Sequence, residues 1–535
     1  MTLLGRARIV TPVFRPKKLL PLGLATASGI LYFVGFIGFD QWYLAWICLA
    51  PLLLALRGAR TGRQALLLSW WMGFVTHLGG YYWIVHLLRT FASLSLPLAF
   101  AGYLLLCIAQ GALLAVFGWL AWKLQRRTGI SLGWTAPVAF VATEFAFPLL
   151  FPSYLANSQA WVPQLTQVAD IGGVLLLSGI MALFSSALAE VIAARLEKRP
   201  LPRALPIAAV GALVFDLAYG AVRIPQMEKR DAAAPKLKTA IVQANVGAGD
   251  KHLRASEGIR RFKRMTDEAM QSPDLGLVVW PESALNRTVI GTPNLTGQVA
   301  SEVKVPMIVG ALRGEPGDKA VRRWNSVFAV DKGGAITGHY DKIKLLMFGE
   351  YVPGEKLLAP IYEKILPFTS TFQRGTTYAP LEVGGYKLSA DVCYEDILPR
   401  LIRDLMGPID EAGTRPHAMV NVTNDSWYGP AEPPIHLALA TFRSIEHRRW
   451  LVRSTATGIS AFIDSSGRLV QKSGFETAET LVADVPMVAA GPTVYGVVGD
   501  ILGWLALAAS LAGLVQRRLR PAQAASAEER RRKAA

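Results

Sequence analysis

Long apolar runs occupy roughly residues 19–38, 41–57, 65–88, 96–123, 133–151, 167–193 and 204–223, and an eighth covers about 494–515. A helix rises about 1.5 Å per residue, so about 20 apolar residues cross a hydrocarbon core of about 30 Å. Each run is long enough, or nearly so, and predicts a transmembrane helix. The second is the shortest, and its Trp42, Tyr43 and Trp46 are expected at a membrane–water interface, where amphipathic rings concentrate. From about Lys236 to Pro486 the pattern changes. Short apolar runs, Thr239–Gln243, Leu275–Trp280, Pro306–Gly310, Ser326–Val330, Tyr386–Asp391 and Ala418–Val422, alternate with polar stretches. They are too short to span a bilayer as helices and read as buried strands. Arg254–Gln271 reads as an amphipathic helix with its charges on one face. Strands alternating with helices predict one α/β domain.

Composition agrees with the two-part pattern. Of the 535 residues 52% are hydrophobic and only 18% charged, yet the net charge is +17. So apolar a chain is unusual for a soluble protein. The surplus cations cluster in alternate loops: Arg6, Arg8, Arg15, Lys17 and Lys18 before the first run; Arg57, Arg60 and Arg63; Lys123, Arg126 and Arg127; Arg195, Lys198, Arg199 and Arg203; and Arg517, Arg518 and Arg520 after the last. The intervening loops carry almost none. This is the positive-inside pattern, which places both termini in the cytoplasm and, after seven crossings, the α/β domain on the outer side. The same clustering argues against nucleic-acid binding. The first run lacks a small-x-small cleavage site and reads as a signal anchor. The tail from Pro521 to Ala535 is rich in Ala, Glu and Arg, and reads as disordered. The expected division is therefore 1–224 for seven membrane helices, 225–490 for the outer domain, 491–516 for the eighth helix and 517–535 for a cytoplasmic tail.

Cys48 and Cys107 lie in apolar runs, so Cys393 is the one thiol of the α/β part, and three scattered cysteines make neither a disulfide framework nor a zinc site. Cys393 ends a strand. Glu282 follows Trp280-Pro281, where proline stops the strand and turns the chain. Lys342 follows the strand 326–330 and the Gly333-Gly334 turn. Sites in open α/β sheets form beyond strand ends, so a thiol, a carboxylate and an ammonium can meet there. The carboxylate would take the thiol's proton, and the ammonium, with the backbone N–H of Tyr394, would stabilise an oxyanion. Taken singly, a Cys at a strand end is more often a small core residue.

The stretches Val279-Trp-Pro-Glu-Ser283, Tyr340-Asp-Lys342, Phe348-Gly-Glu-Tyr-Val-Pro353, Val392-Cys-Tyr-Glu395 and Asn421-Val-Thr-Asn-Asp-Ser-Trp427 closely resemble the nitrilase superfamily. With the membrane runs, the stretches 164–174, 453–458 and 493–500 resemble its membrane branch, the apolipoprotein N-acyltransferases. The resemblance implies a bundle of about eight transmembrane helices with a periplasmic nitrilase-like αββα sandwich, in a bacterial inner membrane. It implies Glu282 as general base, Lys342 as electrostatic stabiliser and Cys393 as nucleophile, with Glu350 and Glu395 as supporting carboxylates and Tyr394 shaping the acyl pocket. It implies acyl transfer from a phospholipid, phosphatidylethanolamine above all, to the α-amino group of a diacylglyceryl-cysteine, through a Cys thioester, by a monomer with no cofactor or metal. Met347 and Phe348 are expected at the lipid mouth. The apolar arm 353–372, with Leu358 and Ile361 on one helical face, is expected to gate lipid access. Two departures fall near that mouth: Met347 replaces a proline, and Lys251-His252 stands near an expected tryptophan. The alternatives are a membrane-tethered amidohydrolase with the same triad, and a transporter using Asp170 or His77 inside the helices.

Overall fold

The computed structural model describes residues 19–247, 255–317, 321–347, 349–351 and 372–516. The apolar runs become α1 (Leu20–Val34), a 3-10 turn Trp42–Trp46 leading to α2 (Ala50–Arg57), α3 (Gly62–Gly80), α4 (Ile84–Phe91), α5 (Leu96–Gln110), α6 (Ala112–Thr128), α7 (Leu132–Ala146), α8 (Pro163–Thr166), α9 (Ala169–Leu196) and α10 (Ala204–Ala233). Among the described residues three helices are long and apolar enough to cross a membrane: Leu96–Thr128, in which α5 runs on into α6, then α9 and α10. Leu20–Val34, Trp42–Arg57 and Ile501–Val515 are shorter apolar helices.

Three details depart from the hydropathy pattern. The run 65–88 is not one helix. Gly79 and Gly80 weaken its end, and Tyr81 stacks on Trp83 at 5.7 Å while Trp83 meets Phe151 edge-on at 5.4 Å, so the chain turns and restarts as α4. Near the start of α9, Gly172 and Gly173 leave helical geometry. Gly173 takes φ +66°, and a Cβ there would lie 2.6 Å from the ring of Tyr495. Finally, Trp42 and Tyr43 are exposed as an interface would have them, but Trp46 is buried and donates its indole N–H to Gln159 at 3.0 Å. An indole this far inside needs that acceptor.

The α/β part begins where α10 ends. Its strands are β1 (Lys236–Gln243), β2 (Leu277–Val279), β3 (Leu285–Ile290), β4 (Met307–Glu315), β5 (Arg322–Val330), β6 (Ile336–Asp341), β7 (Leu381–Val383), β8 (Tyr386–Val392), β9 (Ala418–Thr423), β10 (Leu451–Thr455), β11 (Ala461–Ile463), β12 (Leu469–Lys472) and β13 (Glu479–Pro486). The expected strands all form. One sheet has the order β13-β1-β2-β4-β5-β6 with β3 beside β4, and the other β12-β11-β10-β9-β8-β7. Ile241, Val279, Ile308 and Val327 of the first sheet pack on Leu388, Ala390, Val420 and Val452 of the second. Residues alternate faces along a strand, so Ala240, Val242 and Val278 point the other way, beneath Phe262 and Met265 of α11 (Ala255–Ala269). On the far face of the second sheet lie α12 (Pro399–Leu405) and α13 (Pro433–His447). The domain is an αββα sandwich. After β13 come α14 (Val494–Val498) and α15 (Ile501–Val515).

Buried polar contacts lock the two parts together. Asp170 at the start of α9 accepts from Arg448 at 2.8 Å, Arg223 at 2.9 Å and Tyr219 at 2.8 Å. Asp231 near the end of α10 accepts from the indole of Trp450 at 2.9 Å. The amide of Val174, freed by the Gly172-Gly173 break, donates to Glu446 at 3.2 Å. Asp170 and His77, whose Nδ1 lies 2.7 Å from the Gly73 carbonyl, thus both have partners within the fold.

Candidate active site

Glu282, Lys342 and Cys393 come from three strand ends, as expected. β2 stops at Val279, and Trp280-Pro281 carries the chain over β4 to Glu282. Gly310 makes room for that turn, since a Cβ there would sit 2.2 Å from the Pro281 carbonyl. β6 ends at Asp341, one residue before Lys342. β8 ends at Val392, and Cys393 opens a 3-10 turn with φ +55°, a left-handed backbone costly for a residue with a Cβ. That strain persists because the turn is held from several sides. Asn421 on β9 donates to the Cys393 carbonyl at 3.1 Å and to Asp391 at 2.6 Å. Glu395, fully buried, accepts from the amides of Val392 (2.9 Å), Ile343 (2.8 Å) and Lys344 (2.8 Å) and from the Tyr340 hydroxyl (2.9 Å). One carboxylate therefore clamps the cysteine turn to the lysine loop.

The lysine is held as tightly. Its Nζ lies 2.8 Å and 3.0 Å from the two oxygens of Glu350, and Glu350 also accepts from the amide of Leu346 at 2.9 Å. Asn325 on β5 donates to Glu282 at 2.6 Å and to Glu350 at 2.8 Å, bridging the two acids. Burial alone would push the Lys342 ammonium down, but Glu350 first, then the thiol and Glu282, hold it above the usual lysine value. Burial pushes the Cys393 thiol well up; Glu282 adds to this and Lys342 opposes it. The resting thiol is therefore neutral. Burial also pushes Glu395 up, to about 7, against Lys342 and the donated amides.

A second cluster sits behind Cys393. Arg453 on β10 reaches Asp425 at 3.2 Å and Asp396 at 3.4 Å, and His436 on α13 reaches the same two acids at 3.1 Å and 2.8 Å. All four are buried. With an aspartate on each ring nitrogen, His436 donates from both and is the imidazolium. Burial pushes that ion down, but Asp396 and Asp425 outweigh it and hold it up at about 10, Arg453 opposing. Asp425, Glu432 and His436 approach closely enough to hold a cation, but Arg453 and Asp396 already engage two of the three. Neither His436 nor Asn325 was singled out in the sequence. The signal for Asn325 was a lone amide just before the apolar run 326–330, a position amides avoid within a strand.

Tyr394 points to the helical bundle. Its hydroxyl donates to the Leu150 carbonyl at 3.0 Å. It lines an apolar slot between the two parts with Trp83, Phe151, Tyr428 and Leu439. Met347 is more than a third exposed nearby in sequence to Glu350. Phe348, Leu358, Ile361, the arm 353–371 and Lys251-His252 lie outside the described residues.

The chain matches the family described as Apolipoprotein N-acyltransferase N-terminal domain over residues 28–187, and Carbon-nitrogen hydrolase over 238–495. It is 32% identical to an Apolipoprotein N-acyltransferase of Geobacter metallireducens over 514 residues, covering 92% of this chain and 95% of that protein. It is 31% identical to one of Pseudomonas paraeruginosa, covering 93% and 96%. A solved Saccharomyces cerevisiae member of branch 10 of the nitrilase superfamily aligns at 19% identity over 47% of this chain and 90% of that one, with a TM-score of 0.34, too low to bear on the argument.

Proposed function

The chain belongs to the apolipoprotein N-acyltransferase family, and from that we propose that it moves an acyl chain from a phospholipid to the α-amino group of a lipoprotein's diacylglyceryl-cysteine through a thioester on Cys393. The observation that carries this reading is the meeting of Glu282, Lys342 and Cys393 beside an apolar slot walled by the helical bundle. Glu282 takes the thiol proton as Sγ attacks the ester carbonyl. The oxyanion forms beside the Lys342 ammonium and the Tyr394 amide. As it collapses, the glycerol oxygen leaves with the proton from Glu282, and the lysophospholipid departs. The lipoprotein amine then attacks the thioester, gives a proton to Glu282, and the thiolate leaves and is reprotonated. Glu350 and Glu395 act as positioning residues, one on the lysine and one on the cysteine turn. Closure of the slot against water favours the amine over hydrolysis.

The accompanying topology is eight spans, both termini in the cytoplasm, residues 225–490 in the periplasm and a monomer in the inner membrane. Its support is the alternation of basic loops. Met347, Phe348, Leu358 and Ile361 are assigned to the lipid mouth, with phosphatidylethanolamine as donor. The test is the intermediate. Given phospholipid and no lipoprotein, the purified chain should gain the mass of one acyl group, removable by hydroxylamine. Cys393→Ala should gain none, while Cys48→Ala and Cys107→Ala should load normally. A loaded Cys393→Ala protein would end the mechanism. A membrane-tethered amidohydrolase would instead turn over small amides and leave lipoprotein N-termini free.

A further inference from the structure

The break at Tyr81–Trp83 gives α4 its own direction, and one side of it faces the loop after β9. Trp83 meets Tyr428 edge-on at 5.8 Å and Phe91 meets Trp427 edge-on at 5.1 Å. Gly429, at φ +71°, lies under the ring of His86, where a Cβ would come within 2.9 Å. Between helix and loop opens a cleft of about 770 Å³ whose polar side is His86, Arg89, Thr90 and Ser93. Thr90 and His86 are 3.2 Å apart. Trp83 and Tyr428 line both this cleft and the apolar slot that holds Tyr394, so the two spaces share a wall next to the nucleophile.

Arg89 is out of place by the rule that orients the chain. The stretches 35–41, 81–95 and 147–168 join the runs on the outer side, and Arg89 is their single Lys or Arg. No hydrogen bond or ion pair to another described residue engages its guanidinium, which lines the cleft. An exposed cation against an apolar bundle, with the His86 imidazole one turn before it and the Thr90 hydroxyl on the next residue, suits a phosphodiester whose acyl chains lie in the membrane. We infer that Arg89, with His86 and Thr90, forms a subsite for the phosphate of the acyl donor, separate from the catalytic centre and unused by the acceptor, whose glyceryl-cysteine carries no phosphate. The inference rests on the acyl-enzyme reading above.

Loading of Cys393 is followed by intact-protein mass in detergent micelles. The donors are dipalmitoyl phosphatidylethanolamine and dipalmitoylglycerol, which offers the same esters without phosphate. For Arg89→Gln the KM for the phospholipid should rise about tenfold with kcat little changed, as for loss of one charged hydrogen bond. Loading from dipalmitoylglycerol should not change, and Arg89→Lys should restore part of the difference. Equal losses on both donors, or no loss on the phospholipid, would overturn the subsite while leaving the acyl-enzyme reading intact. Excess inorganic phosphate should not inhibit the parent chain. Inhibition that Arg89→Gln abolishes would mark a free-anion site and overturn the headgroup assignment. A parent chain that loads neither donor sinks the acyl-enzyme reading and the subsite with it.

Discussion

Two buried charge clusters share the neighbourhood of Cys393, and they are built differently. In the one behind it, Arg453 and His436 alternate with Asp396 and Asp425 around a ring, two cations against two anions, each bonded to both neighbours. In the other, a single cation, Lys342, answers Glu350, Glu282, Glu395 and the thiol, and the Asn325 amide bridges two of the acids. A ring that balances its own charge has nothing left to respond to substrate. It can hold the loop after β9 in place. A cluster with more acid than base keeps its thiol protonated at rest and has a carboxylate ready for the proton. The comparison teaches which buried charges are scaffold and which are reagent, although burial alone makes them look alike.

The sharpest way to break that contrast is Glu282→Gln. It removes the base and little else, so acylation of Cys393, read by rapid-quench mass measurement, should fall about 10²–10⁴-fold. The unfolding temperature in detergent should stay near the parent's. A large drop in that temperature would make Glu282 scaffold. Arg453→Met should do the reverse. It leaves Asp396 and Asp425 buried without their guanidinium, which costs about 3–5 kcal/mol when one partner of a buried pair is lost. Thermal unfolding should show this before any kinetic assay does. Asn325→Ala lies between. Losing the bridge between Glu282 and Glu350 should slow acylation about tenfold through one charged hydrogen bond, with KM unaffected. Equal effects on kcat and KM would mean that the site had reshaped.

The last effect is on pH dependence. His436 is held at about 10 in the folded chain against an ordinary 6.5. Below about 6.5 both folded and unfolded chains carry the proton, and the ring contributes its full stability. As pH rises to about 10 the unfolded chain gives the proton up first, so this contribution is lost. The unfolding temperature should therefore decline from pH 7 to 10 in the parent, and less steeply in His436→Gln. A parallel decline in both would place the imidazolium elsewhere.

The two clusters were not equally legible in the sequence. Glu282, Lys342 and Cys393 stand at ends of strands whose apolar runs are plain to see, and Glu350 and Glu395 lie in short motifs around them. The ring is assembled from four separate segments, and nothing near His436 in sequence announces that Asp396 and Asp425 lie on either side of it. The strands β1, β2, β4, β5, β8 and β9 were readable because both their faces are covered. β13 was not, because its alternation of half-buried and exposed residues, as at Thr480-Leu481-Val482, looks like a loop until its pairing with β1 is known. In the membrane part, hydropathy marked where apolar segments lie but not where they break. Tyr81 and Trp83 are as apolar as what surrounds them, and the turn comes from their packing on each other and on Phe151.

The bond from the Tyr394 hydroxyl to the Leu150 carbonyl has a mechanical consequence. Leu150 belongs to the loop that follows α7, so it moves with the bundle, while Tyr394 is the chain neighbour of Cys393. Helices tilt to match the hydrocarbon they sit in. On the eight-span topology proposed above, a bilayer whose thickness tilts α7 would pull, through one hydrogen bond, on the turn that carries Cys393.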